Sequence, residues 1–554
     1  MKKINLLLSG LCVCGLLFAQ NKNYRNQTYK AYEPVEDVAK RLRTSGYSRF
    51  ENPTGIFFQK GEQISLNVNN SKNQKIKLRI TNFGPEFSDS YYDLKEGIND
   101  ITVKKDGLGY ISFYTPDYKT TSPIQIEIKG GKINGYFDVA TDDNSEWQNL
   151  LKNAQCATLD IIGKKVHLAY STEELRQYCP EDGVRLINQY DSIITIQHDL
   201  MGLNKYNEAP DNRMFGRAMW GGFMHADGMG AAFHRNTLKG LADVNKVLKD
   251  SWGIAHEFGH VNQTRPGFKW VSTTEVTNNV FSAWTQYLYA PENLRLEHEK
   301  IDGGEGSGNV NGGRFNAYLN HGVLNGQNWL CQKGPDRMKD YENGGDHFVK
   351  LCPLWQLQLY YTAALRGNKD LYADIIHNIR NNQDDNLSNG EMQLEFMKLA
   401  CDIQKEDLTT FFEKAGMLKP IDRELDDYSR GQMTITQKQC DDLKKYASKY
   451  KKPESPVIYY ISGNSVDAFK NKLNVKGQKG KGISENEKGQ KIISHNDWKN
   501  VVVFETYNGK ELVKITMAGT GFKDNSATLV AMPEGANRIE AVSWNGKRKT
   551  VLEI

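Results

Sequence analysis

The chain has 554 residues, 39% hydrophobic and 25% charged, with 71 Lys and Arg against 67 Asp and Glu for a net charge of +4. That composition belongs to a globular protein of roughly two to four domains, at about 100–200 residues per domain, and excludes a disordered chain. The near-neutral balance also excludes a nucleic-acid binder, which would be far more basic.

The only long apolar run is at the start: Met1-Lys2-Lys3, then Ile4 to Phe18, then Ala19-Gln20. A basic end, a short apolar stretch and a small residue read as a signal peptide over residues 1–19, so the protein is expected to be exported to the periplasm, the cell surface or the medium. Losing Lys2 and Lys3 leaves 69 positive against 67 negative residues, or +2. The run is shorter than the roughly 20 apolar residues that cross a bilayer, and nothing later matches it, so no integral membrane span is expected. Cys12 and Cys14 follow Leu11 and Val13, not the small residue that lipid attachment requires, which makes lipoprotein anchoring the lesser alternative. Six cysteines remain: Cys156, Cys179, Cys331, Cys352, Cys401 and Cys440. An even number in an exported chain permits up to three disulfides, pairing between sequence neighbours being the simplest arrangement. No CxxC spacing supports a zinc knuckle or a redox pair.

Residues 20–144 carry short β-branched and aromatic runs, such as Gln63–Val68, Ile76–Ile80, Tyr110–Tyr114 and Ile124–Ile128, separated by Asn69-Asn70, Asp106-Gly107 and Gly130-Gly131. This spacing predicts an N-terminal antiparallel β-sandwich. From residue 145 to 452 the pattern is mainly helical. Trp147, Leu150, Leu151 and Ala154 fall on one helical face, Ile193–Ile196 reads as a strand, and Leu238 to Lys449 is mostly helix. Residues 453–554 return to β texture at Val501–Phe504 and Leu512–Ile515. Lys472, Lys476, Lys479, Lys481, Lys488 and Lys491 lie among glycines as a solvated loop or hairpin, with attraction to acidic glycans the weaker reading. The fold class is multi-domain α+β, with β domains on both flanks and a monomer expected.

The segment with most chemistry is Trp252-Gly253-Ile254-Ala255-His256-Glu257-Phe258-Gly259-His260. Residues four apart on a helix leave the same face, so His256 and His260 can reach one Zn²⁺ at about 2.0–2.1 Å. Glu257 is placed to act on a metal-bound water as general base without ligating the metal. Leu241, Val244, Val247 and Leu248 recur at helical spacing and predict a helix leading into the site. A catalytic zinc needs a third protein ligand, and Glu275 is the best candidate. A turn through Pro266-Gly267 and a second, antiparallel helix carrying Val276, Val280, Ala283, Trp284 and Tyr287 would return it over the histidines. A chance match on exposed or core histidines is uncommon, and the export signal, compatible helix and available glutamate weigh against it. In the mechanism this implies, Glu257 takes a proton from the water attacking a peptide carbonyl and delivers it to the leaving amine.

His256-Glu257-Phe258-Gly259-His260 with Asn262-Gln263, Trp270 and Glu275-Val276-Thr277-Asn278-Asn279, flanked by Met224-His225-Ala226 and Leu354–Tyr360, resembles the enhancin-like, mucin-degrading zinc metallopeptidases (peptidase family M60, gluzincin type). The likeness runs from about Gly55 to Leu418. It implies a thermolysin-like catalytic domain behind a β-rich domain, export from a host-associated bacterium, and cleavage of mucins or other O-glycosylated proteins. Carried over by residue, His256, His260 and Glu275 would hold one zinc ion and Glu257 would be the base. The family's sugar pocket is not matched residue by residue. Trp270, Asn279, Asp346 and Trp355 are candidates, because aromatic faces stack on sugars and amides or carboxylates hold hydroxyls. Against that, both tryptophans suit a core and Asn279 suits bracing a ligand. Two other functions remain open: a glycan-independent protease of the same fold, and a glycan-binding adhesin with a structural zinc site, which would have no need of Glu257.

Three further features each carry two readings. His225 and His234 lie in or after a glycine-rich stretch that is either a cleft-edge strand able to pair with substrate backbone or a packed turn. His321, His347 and Tyr287 could donate to an oxyanion, each being also suited to a structural place. Gly303–Gly313 reads as a flexible connection, with a mobile lid the alternative.

Overall fold

The computed structural model describes residues 22–302, 309–334, 345–382, 384–428 and 430–554. The expected leader and the first half of the glycine run at 303–313 lie outside the described residues.

The N-terminal domain is a sandwich of two antiparallel sheets. One has the order Asn26–Tyr29, Ile124–Lys129, Gln63–Asn69, Gly97–Thr102, and the other Ser88–Leu94, Ile76–Asn82, Gly107–Phe113, Pro53–Phe58, Lys132–Ile133. Alternation sets the core: Ile64, Leu66, Val68, Ile124, Ile126 and Ile128 of the first sheet meet Ile76, Leu78, Ile80, Ile111 and Phe113 of the second, as period-2 side chains require.

The central region is helical but is built on a six-stranded mixed sheet, ordered Phe137–Asp138, Thr158–Ile162, Val166–Ser171, Met214–Met219, Gly230–His234, Met224–Asp227. Met224–Asp227, from the glycine-rich stretch, is therefore an edge strand. Ile193–Ile196 is not a strand. It lies inside the helix Gly183–Leu200, which Asp182 caps by accepting from Arg185 N at 3.1 Å. Leu186, Ile187, Tyr190, Ile193 and Ile194 are all fully buried, and that helical face outweighs the β preference of four residues. Nor do residues 241–248 form one helix. Leu238–Leu241 makes a single turn, after which Asp243 accepts from Asn245 N at 3.0 Å, a local bond that competes with helix propagation.

The helix Ser251–Asn262 packs between the sheet edge and the helix Asn279–Tyr289. The six cysteines are free thiols, so the disulfide expectation is corrected. Cys179 Sγ donates to Asp182 O and Cys352 Sγ to Phe348 O, and burial pushes the Cys156, Cys179 and Cys401 thiols up to about 12. Among the described residues no helix is long and apolar enough to cross a membrane.

The C-terminal strands form a three-stranded sheet (Ile483–Glu485, Lys491–Ser494, Ala527–Val530) and a four-stranded one (Glu511–Met517, Val503–Asn508, Arg538–Val542, Arg548–Glu553). The lysine-rich segment contributes the hairpin of residues 483–494, where Lys491 pairs with Glu485, and just before it Lys479 pairs with Glu553 of the four-stranded sheet.

Candidate metal centre

His256 and His260 stand one turn apart on the helix Ser251–Asn262, and their Nε2 atoms are 3.2 Å apart. Glu275 comes from the short turn Thr274–Thr277, where its own backbone leaves helical geometry (φ −94°, ψ 19°). Its Oε2 lies 3.2 Å from His256 Nε2 and 3.3 Å from His260 Nε2. Three donors at about 2.0–2.1 Å from one ion with tetrahedral angles lie about 3.3–3.4 Å apart, so the arrangement has the size of a single first-row metal site. It is the one group of three such ligands among the described residues.

Several neighbours hold this geometry. Asn279 Nδ2 donates to Glu275 O at 2.8 Å, which turns its Oδ1 toward His256 Nδ1 at 2.9 Å. That oxygen only accepts, and its contact is shorter than the 3.2 Å from Asn278 Nδ2 to the same nitrogen, which favours the proton on Nδ1 and the Nε2 lone pair toward the cluster. Gln263, just past the helix, donates to Thr273 O, Thr274 O and Thr277 Oγ1 at 3.2, 3.1 and 2.6 Å, tying the Glu275 turn to the histidine helix. On the helix's far side, Tyr47 of the N-terminal segment donates to Asn262 Oδ1 at 2.7 Å, and Asn262 Nδ2 donates to Gln197 Oε1 at 2.7 Å. His198 stands 3.1 Å from Tyr47 Oη, and burial holds its imidazole down to about 3, hence neutral.

The two glutamates titrate in opposite directions. Burial raises the Glu257 carboxyl to about 7, with His256 opposing and Glu275 adding to the shift. Burial acts the same way on Glu275, but its contacts with both histidines outweigh this and hold it far below the usual carboxylate range. A separation of that kind marks one carboxylate that stays ionised and another able to exchange a proton.

The triad opens into a cleft of about 700 Å³ that Glu257 also lines. The edge strand contributes Met224, His225 and Ala226, and Trp252, Arg295, His347 and Phe348 form another part of the lining. Arg295 stacks over the rings of Trp252 and Phe348. Exposed Phe223 and Tyr428 stand at the rim. Tyr428 belongs to a hairpin tip between Ile421–Asp426 and Arg430–Ile435, far along the chain, and no local motif announces it. Trp252 was within reach of sequence reasoning through its place one turn before His256.

The sugar-pocket candidates fare differently. Trp270 is 2% exposed, packed on Trp329 and Phe396, and donates to Gln393 Oε1. Trp355 is 1% exposed and donates to Glu297 Oε1 at 3.0 Å. Neither offers a face to a sugar, which corrects both assignments. Asp346 is also withdrawn from that role, because it caps the helix His347–Gln358 by accepting from Phe348 N and Val349 N. Asn279 reaches the cleft, but its amide is spent on His256 and Glu275. Of the three oxyanion candidates, His347 lines the cleft, and burial pushes its imidazole down to about 3. Tyr287 instead stacks on Trp284 and edges Trp355, and His321 sits in the helical segment Leu319–Leu324, apart from the cleft lining.

Fold and site together define a metallopeptidase. A family model described as peptidase M60, enhancin and enhancin-like matches residues 132–416, and one for the N-terminal domain of M60-like peptidases matches residues 33–128. The first spans more than half of the chain, which therefore belongs to the enhancin-like peptidase M60 family. A metallopeptidase solved in complex with Tn antigen is 23% identical, with TM-score 0.74 and coverage of 95% of this chain and 99% of its own. A metallopeptidase from Bacteroides thetaiotaomicron is also 23% identical, with TM-score 0.74 and coverage of 95% and 90%. The M60 catalytic domain of Clostridium perfringens ZmpC, solved with sialyl T antigen, is 16% identical, with TM-score 0.66 and coverage of 95% and 100%. No curated protein matches the chain.

Proposed function

We propose that this protein is an exported zinc endopeptidase that cuts peptide bonds of mucin-type O-glycosylated proteins. The observation that carries the reading is the triad of donor atoms 3.2–3.3 Å apart in a cleft that Glu257 shares. His256, His260 and Glu275 would hold the ion, two imidazoles and one carboxylate being a donor set suited to zinc. When bound, zinc supplies Lewis acidity that polarises a carbonyl and makes water a better nucleophile.

The chain's own residues do the remainder. Glu257 takes a proton from the attacking water and delivers it to the leaving amine nitrogen. Asn279 Oδ1, the closer of the two amide contacts at His256 Nδ1, favours the tautomer that ligates. The unpaired side of Met224–Asp227 can accept an extended substrate backbone as an added strand. The glycosylated substrate is supported by the family and by relatives solved with Tn and sialyl T antigens.

The test compares a glycosylated mucin fragment with its deglycosylated form, with and without a chelator. Cleavage restricted to the glycosylated form and lost with chelator is expected, and Glu257→Gln should lower kcat by about 10²- to 10⁴-fold while zinc content stays at one ion per chain. Equal cleavage of both forms would mean a glycan-independent protease. Glycan binding without any cleavage would mean an adhesin, and near wild-type turnover in Glu257→Gln would remove the base from its role.

A further inference from the structure

Beyond Gln263 the chain turns through Arg265 and Lys269, and both side chains reach the cleft. Arg265 is anchored by its Nε on Gln263 O and its Nη2 on His260 O. Its Nη1 donates to no acceptor among the described residues. Lys269 is half-buried, yet its ammonium has neither a hydrogen-bond acceptor nor a carboxylate within ion-pair distance among the described residues. On the hairpin, Asp427 accepts from Thr274 N and Thr274 Oγ1 at 2.9 Å each and makes no ion pair with Lys269. Next to it Tyr428, 67% exposed and held at φ 59°, places its side chain on the same cleft.

Half-buried cations without a counter-ion are uncommon, because burial removes hydration that only a partner replaces. Burial and the neighbouring Arg265 push the Lys269 ammonium below its usual value, and the longer-range pull of Asp427 and Glu275 opposes them. Elsewhere in this chain comparable cations are paired: Arg213 with Glu51, Arg217 with Asp227, Arg380 with Glu208. Lys350, fully buried, has no carboxylate but donates to Ser272 O and Ser272 Oγ at 2.8 Å each, whereas the Lys269 ammonium in the cleft has neither kind of partner among the described residues.

We propose that Arg265 and Lys269 form an anion subsite, taking a carboxylate or sulfate that the substrate carries close to the bond to be cut, beside Tyr428. This rests on the peptidase reading above and narrows it, since substrates bearing such a group are preferred over neutral ones. The anion has two possible sources, an acidic sugar on the glycan or an acidic side chain of the peptide.

Three synthetic glycopeptides separate them: one neutral throughout, one with a sialylated glycan on a neutral peptide, and one with a neutral glycan beside glutamate. The wild-type protein should cleave at least one charged form with a kcat/KM about tenfold above the neutral form. That ratio should shrink as ionic strength rises, a readout that needs no variant. Lys269→Gln should bring it close to one and Lys269→Arg should keep most of it. Whichever charged peptide shows the effect names the source. A ratio near one for both, or a ratio that Lys269→Gln leaves unchanged, overturns the proposal. If no glycopeptide is cleaved, the peptidase reading fails instead. Calorimetric titration of zinc-loaded Glu257→Gln with the same three peptides then decides the subsite alone, with tighter binding of a charged form supporting it and equal binding of all three refuting it.

Discussion

His256 has two ring nitrogens, and at Nδ1 the shorter contact, 2.9 Å to Asn279 Oδ1 against 3.2 Å to Asn278 Nδ2, favours the tautomer that leaves Nε2 for a metal. Asn279→Ala removes that acceptor, and with it the bond to Glu275 O, without changing any of the three ligand side chains. Partners of this kind are worth about 10- to 100-fold in metal affinity, so zinc binding measured by chelator competition should weaken by that range with the fold intact by circular dichroism. Unchanged affinity would mean the ring is held by packing alone. The triad was legible because its logic is local: His256 and His260 are one helical turn apart, and Glu275 needs only a turn and a return. Trp270 and Trp355 were not, because what occupies an indole is set by Gln393 and Glu297, partners far away in sequence. Lys269 and Arg265 were missed for a related reason. A lysine in a sequence gives no sign that folding will leave it without a carboxylate.

At the scale of elements, the site depends on two helices approaching closely at one glycine. A Cβ on Gly259 would lie 2.8 Å from Asn278 O, too near for a carbon and facing backbone rather than a movable side chain. Asn278 sits between Glu275 and Asn279, so any retreat of that carbonyl carries the third ligand and its brace with it. Gly259→Ala should therefore cost about 1–3 kcal/mol of stability and weaken zinc binding as well. A variant with wild-type melting temperature and metal affinity would show that the helices separate freely. The sandwich strands were readable from their alternation, since Ile64, Leu66 and Val68 can face only one way in a sheet with one buried side. Ile193–Ile196 misled because a β-branched run resembles a strand in isolation. Its place in an eighteen-residue buried helix is fixed by neighbours on both sides of it.

For the whole molecule, the boundaries suggested by composition do not coincide with the packing. The match to the peptidase family ends at residue 416, yet Asp427 holds the Glu275 turn and Tyr428 lines the cleft. The C-terminal strands are equally involved: Val502, Val503, Ile515, Met517, Val542 and Trp544 belong to the same buried cluster as the metal helix's Ile254 and Phe258. Asn316 and Asn320, one helical turn apart, accept from Met517 N and Ile515 N at 2.9 and 3.0 Å, completing the outer side of the strand Glu511–Met517. Removing residues 453–554 would strip apolar partners from that cluster, each buried side chain being worth about 1.5–3 kcal/mol, and leave both asparagines facing solvent. The full chain should lose its zinc site and its buried-tryptophan signal in one cooperative thermal transition. A chain ending at residue 452 should aggregate or melt far lower. If that shortened chain were soluble, bound zinc as tightly and melted at the same temperature, the C-terminal strands would be an appendage rather than part of the peptidase core.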